Sequence, residues 1–569
     1  MKTTESKPLA HNYTSEQYQE VVVRSSLWAA AGDALGWITE LSGGQDGVQF
    51  RSGSKSVSET VKWKRKIGGR FGVSVDLPAG TYSDDTQLRL CVARAIRGNG
   101  VFDVEAFAKI ELPVWQSYSL GAGIGSMAAA ENLSKRNVNW FSNFFHTKKQ
   151  QYTNAGGNGA AMRIQPHVWS SRNSVEELLT QVLRDALVTH GHPHGFCGAV
   201  FHALCLREVI ITCKIPSIDK AFAFLDIMDI IPSLIDADSD LSTFWKGNWE
   251  AEANIDFKQA IADFKVEALA DVDQVVASLS HNRQPGYHEI LGLLGCLTPK
   301  FRGSGFKTAF AAFVLAVINK NEPIENALIL SANELDSDTD TIATMAGALL
   351  GAVSSCRPKW VVQDDEYLIS EAVRLALIGL GQAQMSFGYP DLATWVAPVN
   401  QSDAVATFDN GVALAGLGGL RTLSKEFISK DSKWQWFQLP FGQSILAKRR
   451  KTNINTMYQS QMPTQRLMSS PSNRVAATPE QFSLEKKMQK EVIGQDTSES
   501  HHKRDVFRGI DHATSEVINS GFDDIVFGRL LNLCIEDTDN IESAMAFAAI
   551  VAKAKLARKH RAKNNRLTR

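Results

Sequence analysis

Residues 333–352, NELDSDTDTIATMAGALLGA, place three aspartates directly before a run of small apolar residues. Small residues such as Gly347 let another backbone approach closely, so this run predicts a helix at the centre of the fold. Asp336, Asp338 and Asp340 would then stand at the start of a buried helix, where unpaired carboxylates are unfavourable. Helix capping does not need so many acids, which favours a bound cation. The alternation resembles a calcium loop, but no closing glutamate follows.

A second acidic cluster, Ser83-Asp84-Asp85-Thr86, precedes another stretch with helical periodicity. Adjacent aspartates repel each other unless positive charge joins them, and hard divalent cations prefer carboxylate and hydroxyl oxygens. The alternative is an ordinary helix N-cap, because Ser and Asp satisfy first-turn amides and the helix dipole. This segment alone leaves both interpretations open.

Three further segments carry weaker signals. Residues 29–40, AAAGDALGWITE, contain Asp33 and Glu40 and, taken alone, are typical of an amphipathic helix. Residues 154–163, NAGGNGAAMR, can present backbone N–H groups to a phosphate, although they match neither a Walker loop nor a dinucleotide fingerprint. Residues 188–195, VTHGHPHG, hold three alternating histidines. A binding or capping histidine is favoured over zinc here, because a further zinc ligand is not evident.

Length and periodicity divide the chain of 569 residues into several regions. Residues 18–400 alternate helical periodicity with glycine-rich punctuation and carry few strand signals, which predicts a compact all-α domain of many helices. Residues 401–445 are rich in glycine and aromatic side chains and are expected to pack on that domain. Residues 446–505 predict a flexible linker, and residues 506–569 predict a small helical module with a basic tail. Helices are predicted at 21–41, 84–97, 104–120, 174–189, 197–212, 341–353, 518–534 and 541–561.

Composition indicates the cellular setting. The formal net charge of −1 neither favours nor excludes nucleic acid as a partner. Seven scattered cysteines without a C-x-x-C pair predict reduced thiols and a cytoplasmic location. Neither a signal sequence nor an apolar run long enough to span a bilayer is evident, so no membrane partner is expected. Two basic groups, Lys62 to Lys66 with Arg70 and the tail from Lys553 to Arg569, suit phosphate or acidic partners, or merely solvated surface.

Taken together, five of these motifs resemble the ADP-ribosylglycohydrolase family, which includes dinitrogenase reductase-activating glycohydrolases and ADP-ribosyl-acceptor hydrolases. The resemblance covers residues 18–390 and leaves the C-terminal third unexplained. It implies an all-α fold with two divalent cations, Mg²⁺ or Mn²⁺, in a central cleft. The motifs occur in the family's order, as GDALGxxxE at 32–40, SDDTQ at 83–87, GNGAAMR at 157–163, THGHP at 189–193 and DTDTIA at 338–343.

The resemblance also implies roles for individual residues. The implied metal ligands are Ser83, which stands where the family usually has Thr, together with Asp84, Asp85, Asp338, Asp340 and Thr341. The implied catalytic residues are Glu40, Asp85 and Asp340. The implied substrate-binding residues are Gly123, Gly157, Asn158, Gly159, Ala160 and His190. Asp336 stands where many members have glycine, so it has no implied role.

The implied activity is hydrolysis of the N- or O-glycosidic bond that attaches ADP-ribose to an acceptor, with water activated at the anomeric carbon. The expected substrate is an ADP-ribosylated macromolecule, either protein or nucleic acid, or a small ADP-ribose derivative. An alternative is a binding or immunity protein that blocks an ADP-ribosylating toxin or enzyme by occlusion. The two intact acidic clusters favour the enzyme, because a binding protein would not need them.

Overall fold

Helices dominate the computed structural model of the chain, and the all-α fold class predicted from the sequence is confirmed. The structure describes residues 12–69, 72–172, 174–280, 285–430, 432–452, 454–464, 507, 509–538, 543–544, 547–552 and 554–555. The chain forms two units, residues 1–473 and 474–569. The helices of the first unit are α1 (Ser15–Thr39), α2 (Gln45–Ser52), α3 (Asp84–Ala95), α4 (Val104–Ala106), α5 (Leu112–Trp115), α6 (Ile124–Leu133), α7 (Gln165–Trp169), α8 (Val175–Leu187), α9 (Pro193–Thr212), α10 (Lys220–Ile227), α11 (Ile231–Ala237), α12 (Lys246–Ala253), α13 (Phe257–Ser280), α14 (Tyr287–Leu293), α15 (Gly305–Ile318), α16 (Ile324–Ala332), α17 (Thr339–Val353) and α18 (Asp365–Gly379).

Helix α1 begins at a capping box, in which the side chains of Thr14 and Gln17 each accept a hydrogen bond from the other's backbone N–H. From Val21 to Thr39 every residue of the helix is buried except Arg24, which keeps partial exposure. The amphipathic interpretation of residues 29–40 is therefore wrong. The small residues of that segment let other elements cover the helix on all sides.

Helix α17 lies against α1 with backbone in contact with backbone. A Cβ atom on Gly32 would lie 2.4 Å from the carbonyl oxygen of Ala343, and one on Gly347 would lie 2.4 Å from that of Trp28. Real side chains do not tolerate such distances, so glycine is required at both positions. The prediction of a central small-residue helix is confirmed, since α17 is buried from Thr339 to Ala352.

Local signals explain where other helices begin. Ser174 caps α8 by accepting a hydrogen bond from the N–H of Glu177. Helix α9 begins at Pro193, earlier than the predicted residue 197, because His192 caps it through its imidazole and proline suits the first turn.

Among the described helices, α9 is long and apolar enough to cross a bilayer. It is a core helix in this fold, since 78% of its apolar window is buried inside the protein.

Strands also form in the first unit, although the sequence predicted none. They are β1 (Trp63–Ile67), β2 (Val73–Leu77), β3 (Val405–Phe408), β4 (Gly411–Leu414), β5 (Gly418–Gly419), β6 (Arg421–Thr422), β7 (Phe427–Ile428), β8 (Ser432–Gln438) and β9 (Ser444–Arg450). Strands β1 and β2 form an antiparallel hairpin, β3 to β5 form one sheet, and β6, β8, β7 and β9 form another. The short strands escape detection because few of them are long enough to show alternation.

The aromatic segment at 401–445 contributes to the same hydrophobic core as the helices, through buried residues such as Trp436 and Phe437. The predicted linker boundary at residue 446 is wrong, because it falls inside β9, which pairs with β8 along its full length. The basic half of SILAKRR resembles a linker in composition, but its backbone is held by the sheet. After β9, residues 451–452 and 454–464 of the predicted linker are described, and residues 465–505 lie outside the described residues.

The second unit contains the helices Ile510–Asn519 and Asp524–Thr538. The predicted helix at 518–534 therefore spans two helices, which are separated by a turn in which Phe522 has a φ of 65°. Of the predicted helix at 541–561, the described residues 543–544, 547–552 and 554–555 are helical. The predicted basic tail lies outside the described residues apart from Lys555.

Replacing Gly347 by alanine should lower the free energy of unfolding by about 1–3 kcal/mol, because the new methyl group meets the backbone of α1. The matched control is Gly247→Ala in α12, an exposed helical position where a Cβ atom meets nothing within 4 Å. That control should raise stability slightly, because alanine favours the helix. Chemical unfolding followed by circular dichroism tests both variants, and equal effects would contradict the close packing of α1 and α17.

Candidate active site

A cavity of about 960 Å³ opens where the C-terminal end of α1 meets the N-terminal ends of α3, α6, α15 and α17. Its volume suits a ligand of nucleotide size. Helix N-termini direct partial positive charge towards whatever the cavity holds. The residues that line it include Glu40, Asp84, Asp85, Gly121, Gly123, Gly125, Ser126, Gly157, Asn158, Gly159, Met162, His190, His192, His194, Glu267, Lys300, Phe301, Arg302, Ser304, Asp338, Asp340 and Thr341.

One side of the cavity is acidic. Its lining carboxylates, Glu40, Asp84, Asp85, Asp338 and Asp340, together with Asp33 behind them, are called the acidic wall below. The geometry of this wall fits a cation. Asp33, Asp85 and Asp340 are all buried, and each offers one carboxylate oxygen within 4.8 Å of the others. Oδ1 of Asp85 is buried and has no hydrogen-bond partner among the described residues. Its other oxygen, Oδ2, accepts from the hydroxyls of Thr341 and Ser83, each at 3.3 Å. Oxygen donors that include an unsatisfied carboxylate are the ligands that hard divalent cations prefer.

Burial is also the main reason why the acidic wall resists ionisation. It raises the pKa of each of these carboxyl groups, and the neighbouring carboxylates raise it further. The groups concerned are Asp84, Asp85 and Asp340, whose pKa values lie well above the usual range. Ionising several of them together therefore requires nearby positive charge, which a divalent cation supplies.

Asp33 is a residue of this site that sequence reasoning missed. Its Oδ1 accepts a hydrogen bond of 2.8 Å from the backbone N–H of Ser83, and its Oδ2 accepts one of 2.9 Å from that of Thr86. A carboxylate on α1 thereby holds the N-terminal turn of α3, which carries Asp84 and Asp85. Two sequence signals pointed to it: a charged residue inside an apolar stretch, and its place in the GDALGxxxE motif at 32–40.

The second acidic motif is connected to the glycine loop. The side-chain amide of Asn158 donates to Oδ2 of Asp338 at 3.0 Å, and the backbone N–H of Thr341 donates to Oδ1 of Asp340 at 2.9 Å. Asp336, in contrast, is exposed and does not line the cavity. The structure therefore separates Asp336 from the acidic wall that contains Asp338 and Asp340.

The imidazole of His190 lies over the glycine loop at 157–159. A Cβ atom on Gly159 would lie 3.1 Å from Cε1 of His190 and 2.7 Å from Oγ of Ser126, so a larger residue there would displace one or both side chains. Burial lowers the pKa of His190 to about 3, which makes its ring neutral at ordinary pH.

The orientation of the His190 proton follows from its hydrogen-bond chain. The hydroxyl of Thr189 accepts from the guanidinium of Arg163 at 3.0 Å and lies 2.6 Å from Nδ1 of His190. The hydroxyl hydrogen can go to Nδ1, at 2.6 Å, or to the carbonyl oxygen of Ala186, at 3.5 Å, and the much shorter distance favours Nδ1. Nδ1 is then the acceptor, and the ring proton belongs on Nε2, so Nε2 is a hydrogen-bond donor.

Arg163, the last residue of GNGAAMR, supports this arrangement from inside the protein. It donates to the carbonyl oxygen of Gly159 at 3.0 Å and to Asp185 at 2.9 Å. Burial alone would raise the pKa of Asp185, but Arg163 and the hydrogen bond from His167 outweigh it and lower that pKa. The buried ion pair therefore fixes both the glycine loop and the Thr189–His190 turn.

The remaining histidines of VTHGHPHG are used by the protein itself. His192 caps α9, while His194 binds Oγ of Ser304 at 2.8 Å and the carboxylate of Glu267 at 3.1 Å. Both rings line the cavity, but the group of possible metal ligands found among the described residues is acidic. The capping interpretation is confirmed for His192.

Two predicted site residues lie behind the cavity wall. Ser83 is fully buried beside Asp85, and Ala160 is fully buried below the glycine loop; neither lines the cavity. Gly123, Gly157, Asn158, Gly159 and His190 do line it. The structure adds the wall from Lys300 to Ser304, for which the sequence predicted no role. Of the basic group near residue 65, Arg65 contacts Glu40, whereas Arg70 lies outside the described residues.

Known proteins resemble the chain in this region. The sequence profile of the ADP-ribosylglycohydrolase family matches residues 14–376. An ADP-ribosylhydrolase ARH3 of Danio rerio is 27% identical over 318 residues, which cover 50% of this chain and 78% of the relative. An ADP-ribosyl-(dinitrogen reductase) glycohydrolase of Rhodospirillum rubrum is 26% identical over 167 residues, 29% of this chain and 50% of the relative. A solved chain from an ADP-ribosylglycohydrolase-related protein complex matches 64% of this chain and 99% of its own length, with 19% identity and a TM-score of 0.39.

His190 should remain neutral between pH 7 and about pH 5, because burial holds its pKa at about 3. An unfolded histidine has a pKa of about 6.5, so this residue contributes stability that is fully present above that value. The contribution is lost progressively as the pH falls towards 3. Ring nitrogen chemical shifts measured by NMR in protein with labelled histidine test this. A doubly protonated His190 ring at pH 5 would contradict the hydrogen-bond chain from Arg163.

Proposed function

Since the chain belongs to the ADP-ribosylglycohydrolase family, we propose that it hydrolyses the N- or O-glycosidic bond between ADP-ribose and an acceptor. The observation that carries this proposal is the convergence of buried carboxylates, a glycine loop and a neutral histidine on one cavity of nucleotide size. The substrate is an ADP-ribosylated macromolecule or a small ADP-ribose derivative.

The acidic wall supports a site for two divalent cations, Mg²⁺ or Mn²⁺. The proposed ligands are Ser83, Asp84, Asp85, Asp338, Asp340 and Thr341, and Asp33 holds the turn that carries two of them. When bound, such cations orient ribose hydroxyls and lower the pKa of a water molecule. The unpartnered Oδ1 of Asp85 and the raised pKa values of the wall support cation binding at these residues.

Two carboxyl groups are suited to proton transfer. Asp85, aligned by the hydroxyls of Ser83 and Thr341, accepts the proton of the attacking water. We propose Glu40, whose pKa burial raises and Arg65 lowers, as the group that donates a proton to the departing acceptor atom. The bond from C1′ to the acceptor breaks, its electron pair leaves with the acceptor, and the water oxygen bonds to C1′. Asp340, fixed at the first turn of α17, completes the acidic wall.

The opposite wall is suited to the nucleotide. Backbone N–H groups at 157–160 can face the diphosphate, and the Nε2–H of His190 can donate to a ligand oxygen. Gly123 lies at the start of α6, where another helix N-terminus reaches the cavity. Asn158 lies between the two walls, because its amide already donates to Asp338.

We further propose a reducing, cytoplasmic setting, which the seven free thiols support.

Asp340→Asn should lower turnover by about a hundredfold or more, because it removes charge from the proposed cation ligands. The control is Asp336→Asn, which removes the same charge from an exposed position outside the cavity and should leave turnover unchanged. Release of ADP-ribose is measured over a panel of ADP-ribosylated peptides, nucleic acids and small molecules, with and without chelator.

Three outcomes would count against the proposal. Release that persists in chelator would remove the divalent cations from the mechanism. Equal losses in the Asp336 and Asp340 variants would show that the effect is not specific to the acidic wall. Binding of ADP-ribose without release from any substrate would favour a binding protein.

A further inference from the structure

The β8–β9 hairpin, residues 432–450, lies beyond residues 14–376, the region that the family profile matches. Its two strands pair along their full length, and it contributes buried side chains to the core of the first unit. The hairpin is also connected to both ends of α3, the helix that carries Asp84 and Asp85 in its first turn. An element outside the matched region therefore contacts the helix that presents two of the proposed cation ligands.

At the C-terminal end of α3, the hairpin binds Arg94. Nη1 of this guanidinium donates to Oε1 of Gln443 at 2.7 Å and to the hydroxyl of Tyr367 at 3.3 Å. Nε and Nη2 donate to the two carboxylate oxygens of Glu111, each at 2.8 Å. The ring centre of Phe441, in the turn of the hairpin, lies 5.2 Å from Cζ of Arg94. Arg94 and Gln443 are both buried, so loss of the Gln443 acceptor would leave a charged donor unpaired away from water.

At the N-terminal end of α3, the connection runs through Asp364. Its Oδ2 accepts a hydrogen bond of 2.8 Å from the hydroxyl of Tyr82 and one of 2.7 Å from the backbone N–H of Ser444. Tyr82 is buried and directly precedes Ser83, the N-cap residue of α3. One carboxylate oxygen thereby joins the hairpin to the residue that precedes the proposed ligands of α3.

A third connection uses the short segment that follows α5. The backbone N–H of Lys448 in β9 donates to the carbonyl oxygen of Ser117 at 2.8 Å, and the carbonyl oxygen of Leu120 accepts from the backbone N–H of Asp84 at 2.7 Å. The side-chain Oε1 of Gln87 also accepts from the backbone N–H of Leu120, at 3.2 Å. The hairpin and the first turn of α3 are therefore bonded to the same segment.

From these connections we propose that the β8–β9 hairpin positions the cation site, and that Gln443 is a positioning residue for Asp84 and Asp85. The inference rests on the proposed function, because it concerns the proposed cation ligands. A rigid helix transmits a displacement of one end to the other, so movement of Arg94 also moves the two carboxylates. Binding constellations must be held within about 0.5 Å of their productive geometry. The hairpin therefore controls divalent cation affinity without touching the cations.

The test measures the dissociation constant of Mn²⁺ for the full chain, without substrate, by electron paramagnetic resonance. Urea unfolding of each variant gives its stability separately. Gln443→Leu removes the acceptor of Arg94. The matched control is Gln435→Leu, the same change at a buried position of β8, where the side chain donates to the carbonyl oxygen of Ser424 and accepts from Arg449. Neither of those partners belongs to α3.

Gln443→Leu should weaken Mn²⁺ binding about three- to tenfold, less than the loss expected for a direct partner of a metal ligand, because it acts through Arg94 and α3. Gln443→Glu should keep most of the affinity, since a carboxylate also accepts from the guanidinium. Gln435→Leu should leave the Mn²⁺ affinity unchanged even where it lowers the free energy of unfolding. A role of Gln443 in stability alone would not separate these variants.

Tyr82→Phe tests the other end of α3 and supplies the result if Gln443→Leu does not fold. It removes the hydroxyl that donates to Asp364 and keeps the ring, so it should also weaken Mn²⁺ binding. The matched control is Tyr287→Phe, which removes a buried hydroxyl that donates to the carbonyl oxygen of Ala311, in α15. That control should leave the Mn²⁺ affinity unchanged.

Two kinds of result would overturn the inference and leave the proposed function intact. One is an unchanged Mn²⁺ affinity in folded Gln443→Leu or in folded Tyr82→Phe. The other is an equal loss of affinity in the corresponding control variant. Absence of Mn²⁺ binding by the wild-type chain would instead remove the divalent cations from the proposed function, and this inference would be rejected with them.

Discussion

The backbone contact between α1 and α17 is the constraint on which the site depends. At the end nearest the cavity, a Cβ atom on Gly36 would lie 2.5 Å from Cα of Asp340, so the two helices meet there with almost no space between them. This contact brings Asp33 and Glu40 of one helix to Asp340 of the other across three hundred residues of sequence. The close packing of α1 and α17 therefore also brings the acidic side chains together, because helices further apart could not both contribute to the acidic wall.

Three carboxylates of the acidic wall have different partners that offset the cost of burying their charge. Burial raises the pKa of Asp33, and the two hydrogen bonds that it accepts from backbone N–H groups at the start of α3 offset part of that rise. Glu40 has the guanidinium of Arg65 beside it. Asp85 has hydroxyl donors on one oxygen and no partner on the other. The unpartnered oxygen of Asp85 is the reason why the cation proposal starts from Asp85, whereas both oxygens of Asp33 hold the turn that carries Asp85.

The sequence predicted the parts of the site that are local and missed those that are not. The runs SDDT and DSDTDT could be recognised because their side chains serve the helix that follows them, and the helical fold followed from periodicity. Asp33 lies in the GDALGxxxE motif, but the motif does not show its role, since its partners lie fifty residues further along the chain. Arg65 was visible only as one of several basic residues. Its strand is short, and the alternation that points it inward appears only once β1 pairs with β2.

Arg163 and Arg65 show how one residue type performs two tasks in this fold. Arg163 is fully buried, and its donors go to Gly159, Asp185 and Thr189, so it determines where a neutral histidine carries its proton. Its charge is compensated inside the protein and has no reason to be felt by a ligand. Arg65 shares its charge with a group that faces the cavity, so any ligand near Glu40 meets it. The two arginines act differently because their hydrogen-bond partners differ. The specificity of a site therefore depends less on the number of nearby arginines than on the groups to which those arginines donate.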